Sequence, residues 1–356
     1  MDTLEKRNRI EYIDYLKCMG IIGVLSIHLC SSYVGELSLM NSFWIQGLFL
    51  ESISRFGIIL FVMVSGLLLL RKKQEIKNVP RRLKRILIPF LFWFICYFFV
   101  KLIFILPNPN LDLIAIINFF ISGLMDPTII SVQFWFVYMI MGLYIVSPIV
   151  STWISNSNMK EIEYFLCIWI MFMVLNLFNE KILLLKYLSG CGGFLGYFIL
   201  GYYLNNKKSK YLENRKLGFI LFVIGTLITF FGVMGLSFLF NGLNLKLMPM
   251  GDLTPAACMQ AVGIFIIIKN TDFSKLWGKF NERINKLVVK ISILSYGIYL
   301  SNILLIRFLQ LLGIYSAKIS PLINVPLFII ITLFILSVML IIMDKIPILK
   351  YFTGIK

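Results

Sequence analysis

The chain alternates long apolar runs with short polar connections, and this rhythm persists from end to end. Ten runs can be marked against the ~20 residues a helix needs to cross a hydrocarbon core. They begin near Tyr12, Trp44, Ile86, Val132, Glu163, Lys186, Leu217, Leu253, Ile291 and Ile323, the fifth and eighth being the shortest. Leu111 to Leu124 is apolar but short and follows Pro-Asn-Pro-Asn, which predicts an interfacial or re-entrant piece. Lys269 to Lys290 sets Leu276, Trp277, Phe280, Ile284 and Leu287 against lysines, the pattern of an amphipathic helix on a membrane surface. No connection is long enough for a second domain. The expectation is one all-α integral membrane domain over 1–356 with about ten transmembrane helices.

Composition agrees with this reading. With 59% hydrophobic and 14% charged residues, too little polar surface remains to cover a soluble core, so lipid must solvate much of the exterior. The first run is long enough to span and no small-residue cleavage pattern follows it, so no cleaved leader is expected. A net charge of +17 would suit nucleic acid, but the basic residues stand in short clusters between apolar runs. Twenty-six of the 34 lie on the side of the N-terminus, including eight between Arg71 and Arg85 and six between Lys269 and Lys290. The other side carries Lys181, Lys186, Lys246 and Lys318, while Lys17, Arg55, Lys101 and Arg307 lie inside runs. This asymmetry predicts both termini in the cytoplasm and excludes nucleic acid as the partner. The six cysteines have no paired spacing and read as small hydrophobes.

Ionisable groups inside spans are costly, so each is a functional candidate. The chain's single histidine, His28, lies in the first run. Eleven residues at ~100° each return to within about 20°, so Lys17 and His28 share a helix face, ~16 Å apart along the axis. Asp14 is one turn before Lys17. Snorkelling would also explain Lys17, and a hydrogen-bonded packing role would explain His28, although imidazole is the usual general base near neutral pH. The second run holds Glu51, Arg55 and Ser65, with Gly57 beside them. Arg55 falls near the bilayer centre, where it either lines a broken helix or pairs internally with Glu51. Arg82 and Arg85, one turn apart, can grip a phosphate, and lipid headgroups as well. The Gly190–Gly196 stretch GCGGFLG follows no strand, so helix packing explains it better than a nucleotide loop. No usual zinc spacing occurs, and spacing supports no Ser–His–Asp triad although Ser65 and Asp14 are available.

In combination these segments resemble acyltransferase family 3, bacterial integral membrane acyltransferases. IDYLKCMGIIGVLSIH matches the basic-x10-His pattern with Lys17 and His28. RFGIILFVMVSG is similar to the arginine-led segment ending Phe-x-x-x-Ser-Gly, here Phe61, Ser65 and Gly66. RRLKRILIPF matches Arg-x-x-Arg before a proline-bearing helix, and FWFVYMIMGLYIVSPIV the Trp-Phe and Leu-Tyr-x-x-x-Pro segment. FLGYFILGYYL, LTPAACMQAVGIFIII and SYGIYLSNILLI are weaker echoes. Lysine replaces the more frequent arginine before the histidine, and Asn302 stands where many members carry a second histidine. The appended hydrolase-like domain of some members is absent, so the chain looks like a stand-alone form that O-acetylates surface polysaccharides or their lipid-linked precursors.

The resemblance implies transfer of an acyl group, acetyl above all, from cytoplasmic acyl-CoA to an acceptor at the outer face of a bacterial plasma membrane. Arg82, Arg85 and Lys17 would hold the CoA phosphates. His28 would deprotonate an acceptor hydroxyl or accept the acyl group itself, with Asp14, Arg55 and Ser65 beside it as catalytic candidates. Glu51, Trp135, Tyr138, Tyr299 and Asn302 are the candidates for acceptor binding. Acetyl-CoA is expected as co-substrate, without a metal, and the partners are a carbohydrate or lipid-linked sugar and the bilayer, with a homo-oligomer compatible. A polysaccharide transporter or flippase is the rival class, since charged groups also suit a substrate path. No inverted repeat or recurring pair of broken helices supports it. A structural partner of a synthase complex is a third reading.

Overall fold

A computed structural model describes residues 10–36, 41–105, 112–176, 193–239 and 251–355. Among them all regular structure is helical. The helices are α1 Glu11–Glu36, α2 Ser42–Ile53, α3 Phe56–Leu69, α4 Val79–Ile105, α5 Leu113–Met125, α6 Trp135–Asn156 and α7 Met159–Asn176. They continue with α8 Gly193–Asn206, α9 Arg215–Leu239, α10 Pro255–Lys269, α11 Phe273–Trp277, α12 Asn281–Leu311 and α13 Pro321–Lys345. Every one of the ten apolar runs holds a helix, and among the described residues seven helical stretches are long and apolar enough to cross a membrane. α5 and α10 are shorter apolar helices. The start of the sixth run at Lys186 lies outside the described residues, as do the basic residues Lys181 and Lys246.

The broken-helix reading of the second run holds: it forms two helices, interrupted at Ser54–Arg55. There Ser54 N–H donates to Glu51 O at 3.1 Å and Gly57 N–H to Ser54 O at 3.1 Å, both over three residues. One expectation is corrected: the Lys269–Lys290 segment is not one amphipathic helix. α11 ends at Gly278, which sits at φ 49°, a conformation glycine reaches without steric cost, and α12 starts at Asn281. Leu276, Phe280 and Leu287 are exposed as expected, while Trp277 Nε1–H donates to the Tyr15 hydroxyl at 2.9 Å. Asp272 caps α11, and the Ser274 hydroxyl, then the Lys275 amide, hold its carboxyl below the ordinary range.

The chain forms two compact units. The first comprises the chain up to Gln74, Ile149–Ser292 and Ser316–Ile329. Lipid tails are as apolar as leucine, so helices within a membrane associate through close packing at small residues rather than through burial from water. Gly23 and Gly57 bring α1 and α3 together: a methyl on Gly23 would lie 2.9 Å from Gly57 Cα. Gly66 and Gly201 bring α3 against α8, backbone to backbone. Gly196 of α8 lies under the Trp169 ring of α7, so this glycine serves helix packing. α10 is buried on almost every side, while α9 leaves Phe219, Ile220, Leu227 and Phe231 exposed. A helix apolar all round belongs in an interior, which explains how 15 residues suffice for α10.

The second unit comprises Glu75–Pro148, Ile293–Tyr315 and Ile330–Lys356. Its interior is aromatic, with Phe90, Phe94 and Phe134 buried around Tyr97. The Tyr97 hydroxyl accepts from Gln133 Nε2 at 3.0 Å and from Leu304 N–H of α12 at 2.8 Å. Gln133 Nε2 also reaches Leu300 O at 3.4 Å. Side chains of neighbouring segments thus bond both ends of one turn of α12.

Candidate functional site

α1 sets the register. Its Gly20, Gly23, Ser26 and Tyr33 meet α2 and α3: Gly20 faces Phe61, Ser26 Oγ lies 3.4 Å from Leu50 O, and Tyr33 lies against Gly47. At ~100° per residue, Lys17 and His28 fall on the side of the helix opposite Ser26 and Tyr33, within about 20° of one another and ~16 Å apart. Both are half-buried. Asp14 is buried and accepts a hydrogen bond from Ser292 Oγ at 2.6 Å. That partner comes from α12, 278 positions along the chain.

The Glu51–Arg55 ion pair forms at the end of α2 and is largely buried. Ser26, on the side of α1 facing away from Lys17 and His28, meets Leu50 O of α2, the residue before Glu51. Arg55 also acts on half-buried Asp252, ahead of α10. Gln260 of α10, fully buried, donates through Nε2 to Ser52 O at 2.9 Å, next to the helix break. The internal-pair reading of Glu51 and Arg55 therefore has direct geometric support. Ser65 is half-buried on α3, one turn beyond Phe61. Because α1 and α3 run antiparallel, this puts Ser65 near the level of Leu16 and Lys17, roughly 16 Å in depth from His28. Asp14 is further still. The first unit thus holds Asp14, Lys17, His28, Glu51, Arg55 and Ser65, but brings neither Asp14 nor Ser65 to the depth of the imidazole.

The second unit holds the other candidates. Arg82 is half-buried and Arg85 exposed in the first turns of α4, one turn apart on one face, beside exposed Arg81 and Lys84. Trp135 opens α6 and is half-buried. Tyr138 is 37% exposed, and its hydroxyl donates to Leu124 O at 2.8 Å, tying α6 to α5. Tyr299 is fully buried and its hydroxyl donates to Gln133 O. Asn302 is also fully buried, with Nδ2 donating to Ile298 O at 3.1 Å and Tyr299 O at 2.6 Å. Tyr138 and Tyr299, read from the sequence as acceptor contacts, each spend a hydroxyl on tying two segments of the unit together, while the Asn302 amide bonds back onto its own helix.

Sequence reasoning missed Gln133, Gln260 and Ser292. The available signal was a lone amide or hydroxyl inside an apolar run, which in lipid demands a partner. Among the described residues no group of three or more His, Cys, Asp or Glu side chains could hold a metal ion. Chemically, the arrangement offers an imidazole and an ammonium on one face of α1, and a paired guanidinium surface at the start of α4.

Residues 10–344 match the acyltransferase family 3 profile, described as an acyltransferase domain. No curated protein and no solved structure matches the chain. The match takes in both units and every candidate residue above, from Asp14 to Asn302. The chain therefore belongs to acyltransferase family 3 and is a multi-pass membrane acyltransferase.

Proposed function

We propose that the protein is an O-acyltransferase that moves an acetyl group from cytoplasmic acetyl-CoA to a hydroxyl of a surface glycan or its lipid-linked precursor. The reading places it in a bacterial plasma membrane with ten spans, both termini cytoplasmic and the acceptor at the outer face. The observation that carries it is the register of α1, which sets Lys17 and the only histidine on one face ~16 Å apart, in a chain whose family transfers acyl groups. A long, thin pantetheine arm suits that distance. Arg82 and Arg85 take the anionic end of CoA, where charge-assisted and bidentate contacts discriminate phosphate. His28 removes the proton of the acceptor hydroxyl as its oxygen attacks the thioester carbonyl. The C–O bond forms, the C–S bond breaks, and CoA leaves as a thiolate that takes up a proton. Transfer through an acyl-imidazole on His28 is the competing order of events, and a rapid denaturing quench at neutral pH after a donor-only pulse distinguishes them by label retained on protein.

The test is acetyl transfer by purified protein in sealed proteoliposomes of known orientation. Acetyl-CoA should serve only from the face bearing the termini and a polysaccharide acceptor only from the other. His28→Ala should abolish transfer while detergent monodispersity stays that of wild type. Full activity in His28→Ala, or with both substrates confined to the face of the termini, would refute the mechanism.

A further inference from the structure

Lys101 and Arg307 read from the sequence as isolated charges within apolar runs. The fold brings them together. α4 begins with Arg81, Arg82, Lys84 and Arg85 and carries Lys101 near its other end; α12 begins with Arg283, Lys286 and Lys290 and carries Arg307 near its other end. Within the second unit the two helices run side by side in the same direction. Tyr296 OH donates to Ile86 O at 2.8 Å, and further along both helices Leu304 N–H donates to Tyr97 OH at 2.8 Å. Lys101 is one turn beyond Tyr97 and Arg307 one turn beyond Leu304. Each cation therefore projects just past the same cross-helix contact, and Arg307 is close enough to act on Lys101.

Among the described residues neither has a carboxylate partner. Lys101 Nζ donates to Ile129 O at 2.5 Å and Arg307 Nη1 to Gln310 Oε1 at 3.2 Å, which leaves donors on both heads and neutralises neither charge. Both side chains are exposed. Around them Phe99, Ile103, Phe104, Phe308 and Leu311 are exposed too, each more than half. Two neighbouring cations inside an apolar surround suit a ligand that is anionic at its head and hydrocarbon in its tail. Soluble phosphate would use only the first feature.

We infer that Lys101 and Arg307 form a site for the phosphate of a membrane lipid, at the end of the second unit's helices opposite the Arg81–Arg85 cluster. The site needs no acyl-transfer chemistry. Where the proposed function also holds, this is the outer end, and the lipid fitting both is a polyprenyl diphosphate carrying the sugar acceptor.

The experiment measures binding to the delipidated full chain by native mass spectrometry, with polyprenyl diphosphate, phosphatidylglycerol, phosphatidylcholine and inorganic pyrophosphate as separate probes. Wild type should hold at least one of the two anionic lipids tenfold or more above phosphatidylcholine and above pyrophosphate. Arg307→Gln should lose about tenfold, the cost of one charge-assisted contact, while Arg307→Lys keeps most of it. Among the described residues Arg307 bonds only within its own helix, so its loss should leave the fold intact, and Lys101→Arg checks the second charge without removing it. Selectivity for polyprenyl diphosphate over phosphatidylglycerol supports a lipid-linked acceptor; equal retention supports a general anionic headgroup at the same site. Equal binding of phosphatidylcholine, pyrophosphate as tight as the lipids, or an unchanged Arg307→Gln overturns the inference. Because no outcome reads acyl transfer, its failure is separate from failure of the proposed function.

Discussion

Replacing Gly66 by alanine tests whether the Ser-Gly end of the second family segment serves packing or chemistry. A methyl at this position would lie 2.5 Å from the carbonyl carbon and 2.8 Å from Cα of Phe198, and nearer still to the Phe198 oxygen. Ordinary contact is about 3.5–4.0 Å, so α3 and α8 would have to part by about 1 Å or more. The obstacle is backbone, which has no rotamer to escape into. The second close contact holds the same helix pair, because a methyl on Gly201 would meet the Met63 backbone. Overpacking costs about 1–3 kcal/mol where side chains can yield, and alanine's better helix propensity returns only about 0.5–1 kcal/mol. A net loss of about 2 kcal/mol should lower the midpoint of thermal unfolding by roughly 5 °C. The assay is fluorescence-monitored unfolding in detergent, followed by donor turnover well below the new midpoint. Gly142→Ala is the control, since nothing lies within 4 Å of a methyl there and its stability should hold or rise. A Gly66→Ala protein with wild-type stability and no turnover would refute the packing argument and give Gly66 a place beside substrate.

Three further outcomes follow from the same geometry. Arg55→Ala should cost about 3–5 kcal/mol by stranding the buried Glu51 carboxylate, whereas the double exchange of Glu51 and Arg55 to Gln and Met should recover much of it; equal losses in both would show the pair is not the relevant unit. Tyr97→Phe removes the acceptor of both Leu304 N–H and Gln133 Nε2 and should destabilise the second unit by about 1–3 kcal/mol, read as faster hydrogen exchange at Leu304; unchanged exchange would sink the account of α12. Gln260→Leu should weaken the Ser54–Arg55 break through its lost bond to Ser52 O, with a loss of about 1–3 kcal/mol; a neutral result in unfolding scans would assign the break to the α2–α3 backbone alone.

Much of this protein was legible in its residues alone. The helical class, the positions of the ten apolar runs and the family segments are local properties: about twenty apolar residues in lipid must satisfy their backbone groups internally, and helix is the way one segment can do so. The Lys17–His28 register is also local, since 3.6 residues per turn decides it without reference to any neighbour. What lies beyond one helix was not legible. Glu51 and Arg55 could be read as a pair because they are one turn apart on one segment, whereas at Asp14 and Tyr299 a polar group in an apolar run signals need without naming who meets it. Tertiary structure supplied the partners: Gln133 for Tyr299 and Ser292 for Asp14. The break at Ser54–Arg55 was allowed by Gly57, but the bond that Gln260 Nε2 of α10 donates to Ser52 O beside it could not be read from the run itself. The meeting of Lys101 and Arg307 comes from helices 200 residues apart in the chain, and no periodicity in either one contains it. Hydrophobic pattern selects which segments enter the bilayer; which face of each meets which neighbour depends on close contacts between specific glycines and aromatic rings, and those exist only once the helices have packed.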